Sequence, residues 1–532
     1  AYYMTANLFT NISFAGAGVW AFERLQMLQG LPARLVHFDL ASVNPDFGGI
    51  LPADLDGPPP PAGAPGYFAE VDDAGWIGPQ DALRLWECHV AWAAPSSSTF
   101  GQAGQPNLIL PTAAWTPLPC VGITRNCIPQ PGAGDDAYLD AIGDRLMHRL
   151  VYRNFGDHAT LLANHTVDAG NGRAGIRWYE LRRTASAWEI YQQGTYAGDW
   201  SGSTAHRWMA SMAMDGQGNL AIGYTASSPT VYPSVRYIGR RVEDPLNTLP
   251  RLETSFMEGG GSQASESSRW GDYSMMSVDP TDDCTLWYTS EYYPATTGYE
   301  WHTRIGAFQF ADCPRAPHGS LSGVVTDAET AQPLSGALVN LSGYIAFSDA
   351  AGQYQFVALP AGSYTLQASA YGHANGTAPV TISDGATTTQ DIALTPLPAT
   401  IVSGHVTDAS LREGQPLYAR LQFSTPGYTR TAYSNPQTGA YQVNLLRGAA
   451  YQVVVTAVGN GYQTATRTIT PTVASVTQDF ALPVDATCSA LGYGRSLVYS
   501  EDFEDDDGGY TTQGATSWAW GQPNSGPAQQ VD

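Results

Sequence analysis

Arg207-Trp208-Met-Ala-Ser-Met-Ala-Met-Asp215-Gly-Gln-Gly-Asn-Leu-Ala-Ile-Gly-Tyr224-Thr225 returns in altered form as Arg269-Trp270-Gly-Asp272-Tyr273-Ser-Met-Met-Ser-Val-Asp279-Pro-Thr-Asp-Asp-Cys284-Thr-Leu-Trp-Tyr288-Thr289. In each copy an Arg-Trp pair leads into an apolar strand and an Asp-containing turn follows. A second strand then reaches a tyrosine nine positions after the Asp. Two apolar runs flanking a turn-forming Asp are the pattern of a β-hairpin. The hairpin is written twice, 64 positions apart (279 minus 215).

A weaker third copy, Tyr152-Arg153-Asn-Phe-Gly-Asp157-His158-Ala-Thr-Leu-Leu-Ala-Asn164, keeps the strand, turn, strand order. Repeats of several short strands read as β-propeller blades, here enlarged by loops beyond the usual ~40 to 50 residues. Ala1-Tyr-Tyr-Met-Thr-Ala-Asn7 reads as the second strand of a hairpin without its first. The expectation is an all-β chain whose residues 1–314 form a propeller incomplete at its N-terminus. Within it, the stretch from Gly48 to Pro61, with Asp54, Asp56 and four consecutive prolines, reads as a surface loop.

Of the 532 residues, 43% are apolar and only 14% charged, which excludes disorder and leaves room for several cored domains. All 25 basic residues are arginine. Chemistry that needs a lysine is therefore excluded, including a Walker-type phosphate loop, a pyridoxal Schiff base and a Ser-Lys dyad. A net charge of −23 argues against nucleic acid and anionic membranes as partners. Neither an apolar run of membrane-spanning length nor a signal-like start is present, so no membrane span is expected. The expected location is extracellular or at the cell surface, with a signal sequence and further blades upstream.

Six cysteines fit that compartment. Cys120 and Cys127 flank a short loop, and Cys284 and Cys313 bracket the last hairpin. No His or Cys neighbours stand at metal spacing, so two disulfides are expected, Cys120–Cys127 and Cys284–Cys313. Cys88 and Cys488 stay unassigned.

Beyond Cys313 a second repeat begins. Ser322-Gly323-Val-Val-Thr-Asp327 returns as Ser403-Gly404-His-Val-Thr-Asp408, and Gly352-Gln-Tyr354-Gln-Phe356 as Gly439-Ala-Tyr441-Gln-Val443. Strict apolar/polar alternation makes each unit a small β-sandwich. Residues 318–398 and 400–485 resemble the carboxypeptidase regulatory-like domain, a transthyretin-like sandwich, which implies a non-catalytic spacer or adhesion module. In the second copy Ser434-Asn-Pro-Gln replaces the usual Ser-Asp-Ala-Ala turn, which puts the turn geometry in question.

Leu51-Pro-Ala-Asp54-Leu-Asp56-Gly57, Gly143-Asp144-Arg145-Leu146, Tyr152 to His158, Asp244-Pro245-Leu246 and Arg269 to Tyr273 resemble a family of large secreted multidomain bacterial proteins. That resemblance implies further blades upstream and brings no activity. The stretch 489–532, with Asp502-Phe-Glu504-Asp505 and Trp518-Ala-Trp520, looks like the start of a truncated jelly-roll domain.

Arg207, Trp208, Arg269, Trp270, Asp272, Tyr273 and Glu291 are the candidate ligand residues, since stacked Trp beside Arg suits a sugar or an acidic group. The competing reading is architectural: a Trp at the same place in each blade packs between sheets, and an Arg-Asp pair ties blades together. Asp215, Asp279, Asp282 and Asp283 read as turn caps. Asp502, Glu504 and Asp505 could hold a structural calcium, the one cofactor expected, with a solvated acidic turn as the alternative.

For catalysis, no His-Glu-x-x-His helix or Gly-x-Ser-x-Gly elbow occurs. Asp157 and His158 are expected on opposite faces of a strand, unable to act together. Glu266, Asp272 and Glu291 could pair for glycoside hydrolysis. Sequons stand at Asn11, Asn164, Asn340 and Asn375. The sequence thus points to an extracellular binding or structural protein without catalysis of its own. A protein or glycan at the cell surface is the expected partner, together with self-assembly. The alternative is a secreted hydrolase, either a glycosidase-like propeller or the accessory part of a peptidase, which proximity of Arg269, Asp272 and Glu291 would favour.

Overall fold

The computed structural model describes residues 1–485 except 31, 75–76, 118–125, 135–136, 185–186, 199–203, 266, 312, 411–413, 426–427 and 460. Two compact units divide the chain, Ala1–Leu397 and Pro398–Asp532. The fold is all-β. The calls on Cys120, Cys488, Glu266, the acidic run at Asp502, Glu504 and Asp505, and the jelly-roll start fall outside the described residues.

Among the described residues, five antiparallel meanders follow one another before the first sandwich. The first comprises Tyr2–Thr10, Ser13–Phe22 and Leu35–Asp39. The second runs from Leu51–Asp56 through Gly66–Asp72 and Ala82–His89 to Thr99–Phe100 and Leu108–Pro111. The third holds Leu150–Asn154, Ala159–Asp168, Ala174–Arg183 and Trp188–Tyr196. The fourth holds His206–Met214, Leu220–Ser228, Val231–Arg240 and Thr254–Met257; the fifth Met275–Val278, Leu286–Tyr292 and His302–Phe308.

Alternation along these strands builds the core. In the third meander Tyr152, Leu161, Ala163, Tyr179 and Leu181 pack with Tyr67, Ala69, Leu83 and Leu85 of the second. The intervening Val151, Leu162, Ile176 and Trp178 point the other way, onto Met212, Met214, Leu220, Ile222 and Tyr224 of the fourth. Ala213, Ala221 and Val235 of the fourth then meet Met276, Val278, Leu286 and Tyr288 of the fifth. Ala17 and Val19 of the first meet Phe68, Trp86 and Phe100 of the second. A strand with side chains buried on both faces cannot slip register by one residue without moving its whole apolar set, so each junction fixes the next.

Buried arginines tie the leading strands together. Arg149 donates to Asp54 at 2.8 Å, to Asp56 at 2.7 and 3.0 Å, and to the Met276 carbonyl at 2.9 Å. Arg153 donates to the Met214 carbonyl at 3.1 Å and pairs with Asp283. Asp54 and Asp56, expected in a surface loop, instead lie on the strand Leu51–Asp56 and are the counter-ions of Arg149.

Several sequence expectations change here. Leu150–Asn154 pairs in parallel with Leu51–Asp56, which fuses the second and third meanders into one nine-stranded sheet where separate blades were expected. Closure into a propeller ring is not seen among the described residues. The Tyr2–Thr10 strand pairs forward with Ser13–Phe22 and is the first strand of its hairpin, not the second. Asp157 and His158 sit in the turn closed by the Phe155 to His158 bond, so their side chains meet (Oδ1 to Nδ1, 2.7 Å) instead of pointing apart.

Cys284 and Cys313 form the expected disulfide, with Cα atoms 5.8 Å apart. Cys127 is also disulfide-bonded. Cys88 is a free, buried thiol. Asn164 is buried, which removes it as a glycan acceptor in the folded chain.

The two sandwiches share one topology. In the first, Gln353–Pro360, His318–Asp327 and the short strands Thr387–Thr389 and Ile392–Leu394 face a sheet of Tyr344–Phe347, Leu338–Leu341, Gly362–Ser369 and Gly376–Ile382. The second repeats this order from Ala399–Asp408 to Phe480–Leu482. Tyr354 Oη donates to the Gln390 carbonyl, and its counterpart Tyr441 Oη to the Gln478 carbonyl at 2.6 Å. The altered turn keeps its geometry. Asn435 Oδ1 accepts the Gln437 N–H at 2.8 Å as Asp349 Oδ1 accepts that of Ala351, and Gly439 and Gly352 hold φ of 69° and 74°. An amide oxygen serves as well as a carboxylate for this turn.

Candidate binding face and cleft

The two tryptophans of the repeated phrase lie in one buried cluster with Met209, Ile142 and Tyr293. Trp208 and Trp270 are 0% and 1% exposed, the placement of packing residues. Arg207 is also buried. It donates to Glu253 at 2.7 Å and to the carbonyls of Ala197 and Ala205. Glu253 additionally accepts from Tyr196 at 2.9 Å, Tyr224 at 2.8 Å and Arg236 at 2.6 Å. Burial alone would raise its carboxyl. The hydrogen bonds and charge of Arg207, then Arg236 and Tyr224, outweigh that and hold it at about 2. Arg207 thus joins the third meander to the fourth, and Trp208 packs against Ala174, Trp270 and Tyr293.

The other candidates converge. Arg269, Trp270, Asp272, Tyr273 and Glu291 line one cleft of about 380 Å³, with Ser290, Tyr293, Tyr299 and Trp301. Arg269 Nε donates to Asp272 Oδ2 at 2.9 Å, and the Gly271 N–H donates to Glu291 Oε1 at 2.8 Å. Gly271 takes φ of 58°, which lets the Trp270–Asp272 turn bring its N–H over the carboxylate. Burial raises the Glu291 carboxyl and the charge of Asp272 adds to it, against the bond from Gly271. Trp270 stacks on Tyr293 at 5.5 Å beneath the cleft. Tyr273, Tyr299 and Trp301 are 87%, 68% and 54% exposed around it.

Sequence reasoning missed Tyr299 and Trp301. Their signal was a Tyr-Glu-Trp run between two strands, where exposed aromatics have no packing duty. The cleft belongs to the outward face of the fifth meander. Strand alternation puts Leu286, Tyr288 and Ser290 toward the fourth meander and Trp287, Thr289 and Glu291 outward. Register aligns Met275, Thr289 and Ile305 in one row and Ser277, Trp287 and Ala307 in the next. Among the described residues no layer covers these rows, and Ile305 is 65% exposed.

The turn acids behave as read. Asp215 Oδ1 accepts the N–H groups of Gln217 and Asn219, Asp279 Oδ1 that of Thr281, and Asp282 Oδ1 those of Cys284 and Thr285. Among the described residues, no group of three His, Cys, Asp or Glu side chains is placed to hold a metal. No helix of the described residues is long and apolar enough to cross a membrane.

Residues 320–395 match the carboxypeptidase regulatory-like domain family. No curated protein matches the chain. Among solved structures, the Bacillus anthracis TIE protein aligns at 12% identity and TM-score 0.17, covering 62% of this chain and 55% of that one. GBS52, the minor pilin of Streptococcus agalactiae, aligns at 13% and 0.21, over 32% of this chain and 98% of its own. Shaft pilin SpaA of Lactobacillus rhamnosus GG gives 11% and 0.21, over 33% and 100%. At TM-scores this low the likeness supports no statement about architecture or role.

Proposed function

We propose that this chain acts outside the cell or at its surface by binding and assembly. In this reading the five meanders are an arc of a propeller, the outward face of the fifth is the recognition face, and the two sandwiches are spacers. The observation that carries it is one sheet face that combines exposed Trp287 and Ile305 with a cleft rimmed by Tyr273, Tyr299 and Trp301. Scattered exposed apolar residues are ordinary, whereas contiguous patches mark interaction sites. The Cys284–Cys313 bridge fits an oxidising compartment.

The test is binding to an array of cell-surface glycans and extracellular proteins that includes the chain itself, for the parent and for Ile305→Arg and Trp301→Ala. Loss of at least tenfold in affinity with the melting temperature kept is the expected result. Binding that ignores both substitutions, or no binding at all, refutes the face.

One observation favours a second reading. Arg269, Asp272 and Glu291 meet in one cleft, and two carboxyl groups in unlike environments are what glycoside hydrolysis uses. Release of reducing ends from an arrayed polysaccharide, lost in Glu291→Gln, would replace binding with hydrolysis as the function.

A further inference from the structure

Charge and ring chemistry together select what the fifth-meander cleft takes. Its charged lining residues are Arg269, Asp272 and Glu291. Arg269 is already committed: Nε and one terminal nitrogen donate to Asp272 Oδ2, and Asp140 Oδ2 lies 3.9 Å from the other terminal nitrogen. Beside this pair Arg145 bonds Asp144 at 3.0 Å, and its charge also acts on Asp140 and Asp272. Two arginines thus meet four carboxyls. Asp272 Oδ1 is buried and without a partner among the described residues. No arginine pairs with Glu291 among the described residues, and its donor there is the neutral Gly271 N–H. The cleft therefore holds a carboxyl whose counter-ion the described residues do not supply. Burial and the Asp272 charge hold that carboxyl toward its neutral form, a cost that a cation seated beside it removes.

The rim adds to the selection. Tyr273, Tyr299 and Trp301 are exposed there, and aromatic faces attract cations and repel anions through the ring quadrupole. An acidic ligand would meet those faces, an uncompensated Glu291 and an arginine already bonded. A neutral ligand would leave Glu291 as it is. The frame that carries the cation follows from the shape. A lysine arm fills a narrow slot, whereas an open cleft of about 380 Å³ with three exposed rings offers platforms to flat sugar rings.

We infer that the cleft binds an amino sugar of a polysaccharide, with the protonated amine donating to Glu291 and the sugar ring lying on the rim aromatics. The inference rests on the outward face of the fifth meander being a binding face and names the ligand of its cleft. The chain has no lysine, so another copy has no side-chain amine to put in the sugar's place.

Calorimetric titration of the full chain at pH 6 in physiological salt tests this. The probes are a β-1,4-linked glucosamine tetramer, the same tetramer fully N-acetylated, and tetralysine. A net charge of −23 attracts any polycation, so the decisive comparison is the parent against Glu291→Gln, which removes one charge in place. The parent is expected to bind the glucosamine tetramer at least tenfold tighter than either other probe. Glu291→Gln is expected to lose that preference and bind both tetramers alike. Trp301→Ala, at an exposed position, is expected to weaken both tetramers, with the melting temperature kept in each variant. Equal binding of the two tetramers by the parent overturns the amine, and tetralysine binding as tightly as the glucosamine tetramer overturns the sugar. A preference that survives Glu291→Gln overturns the site. Absence of binding by all three probes overturns the inference as a whole, while the face itself stands or falls on the array experiment with Ile305→Arg.

Discussion

Replacing Glu253 with Gln removes one charge from a site where four side chains converge, and the structure sets the size of the effect. The Glu253 side chain is 4% exposed, and its partner Arg207 is 2% exposed. Breaking a buried pair by removing one partner costs about 3 to 5 kcal/mol, because the other charge is left without compensation. Gln keeps an acceptor for the tyrosines, so the lower end, about 3 kcal/mol, is expected at neutral pH. The parent should show the same interaction as an acid transition. Its carboxyl is held at about 2 against an ordinary 4.5, a depressed value. The stability it confers is therefore present above pH 4.5 and is lost as pH falls toward 2. At about 1.4 kcal/mol per pH unit, less some screening by water, that loss is about 2 to 3 kcal/mol. Differential scanning calorimetry at pH 7 and pH 3 measures both. The unit from Pro398 onward contains no part of this cluster and serves as an internal reference. At pH 7 the variant should melt roughly 5 °C lower in the Ala1–Leu397 unit only. Near pH 3 its deficit should shrink. A variant within 1 °C of the parent at pH 7, with an unchanged acid profile, refutes the view that Glu253 holds the third and fourth meanders together.

Reduction of Cys284–Cys313, or Cys313→Ser, opens a loop of 29 residues and should cost about 3 to 4 kcal/mol by chain entropy, read as faster amide exchange in the fifth meander. A Cβ at Gly323 would stand 1.9 Å from the Gln390 carbonyl oxygen, and one at Gly404 would stand 2.1 Å from that of Gln478. Gly323→Ala and Gly404→Ala should each lower the transition of their own sandwich by about 2 kcal/mol or more; transitions that do not move would show that the close approach is not real. Burial pushes the Cys88 thiol up to about 12, so N-ethylmaleimide at pH 7.5 should leave its peptide unlabelled until the chain is denatured.

What the sequence disclosed was local. Asp215 and Asp279 could be read as turn caps because an Asx turn is made within two to four residues, and the folded chain keeps those bonds. The sandwiches were legible for the same reason. Gly323 and Gly404 recur because the strand carbonyl of Gln390 or Gln478 crosses there, leaving no room for a side chain. What stayed hidden was non-local. Nothing within Leu51–Asp56 announces parallel pairing with Leu150–Asn154, about a hundred residues away. Glu253 acquires its role only from Tyr196, Arg207, Tyr224 and Arg236, which lie on four different strands. Lacking that carboxylate, Arg207 beside Trp208 looked like a ligand pair. Arg269 beside Trp270 looked the same and does reach an opening, because its acid is the exposed-side Asp272 three residues on. The identical dipeptide thus takes two roles according to where its counter-ion comes from.

The same contrast explains why function is best sought on the faces that no junction closes. Each internal junction seals an apolar set such as Met212, Ile222 and Tyr224 against Ile176 and Trp178, so the middle of the array is closed to partners. On the outward face of the fifth meander Trp287 and Ile305 are more than 40% exposed, and they are residue types that fill the interior junctions. At roughly 25 cal/mol per Å² of apolar surface, leaving such faces in water forgoes stabilisation that every internal meander obtains. A face that carries junction chemistry is where a partner gains the most, and the comparison of the parent with Ile305→Arg and Trp301→Ala asks what covers it.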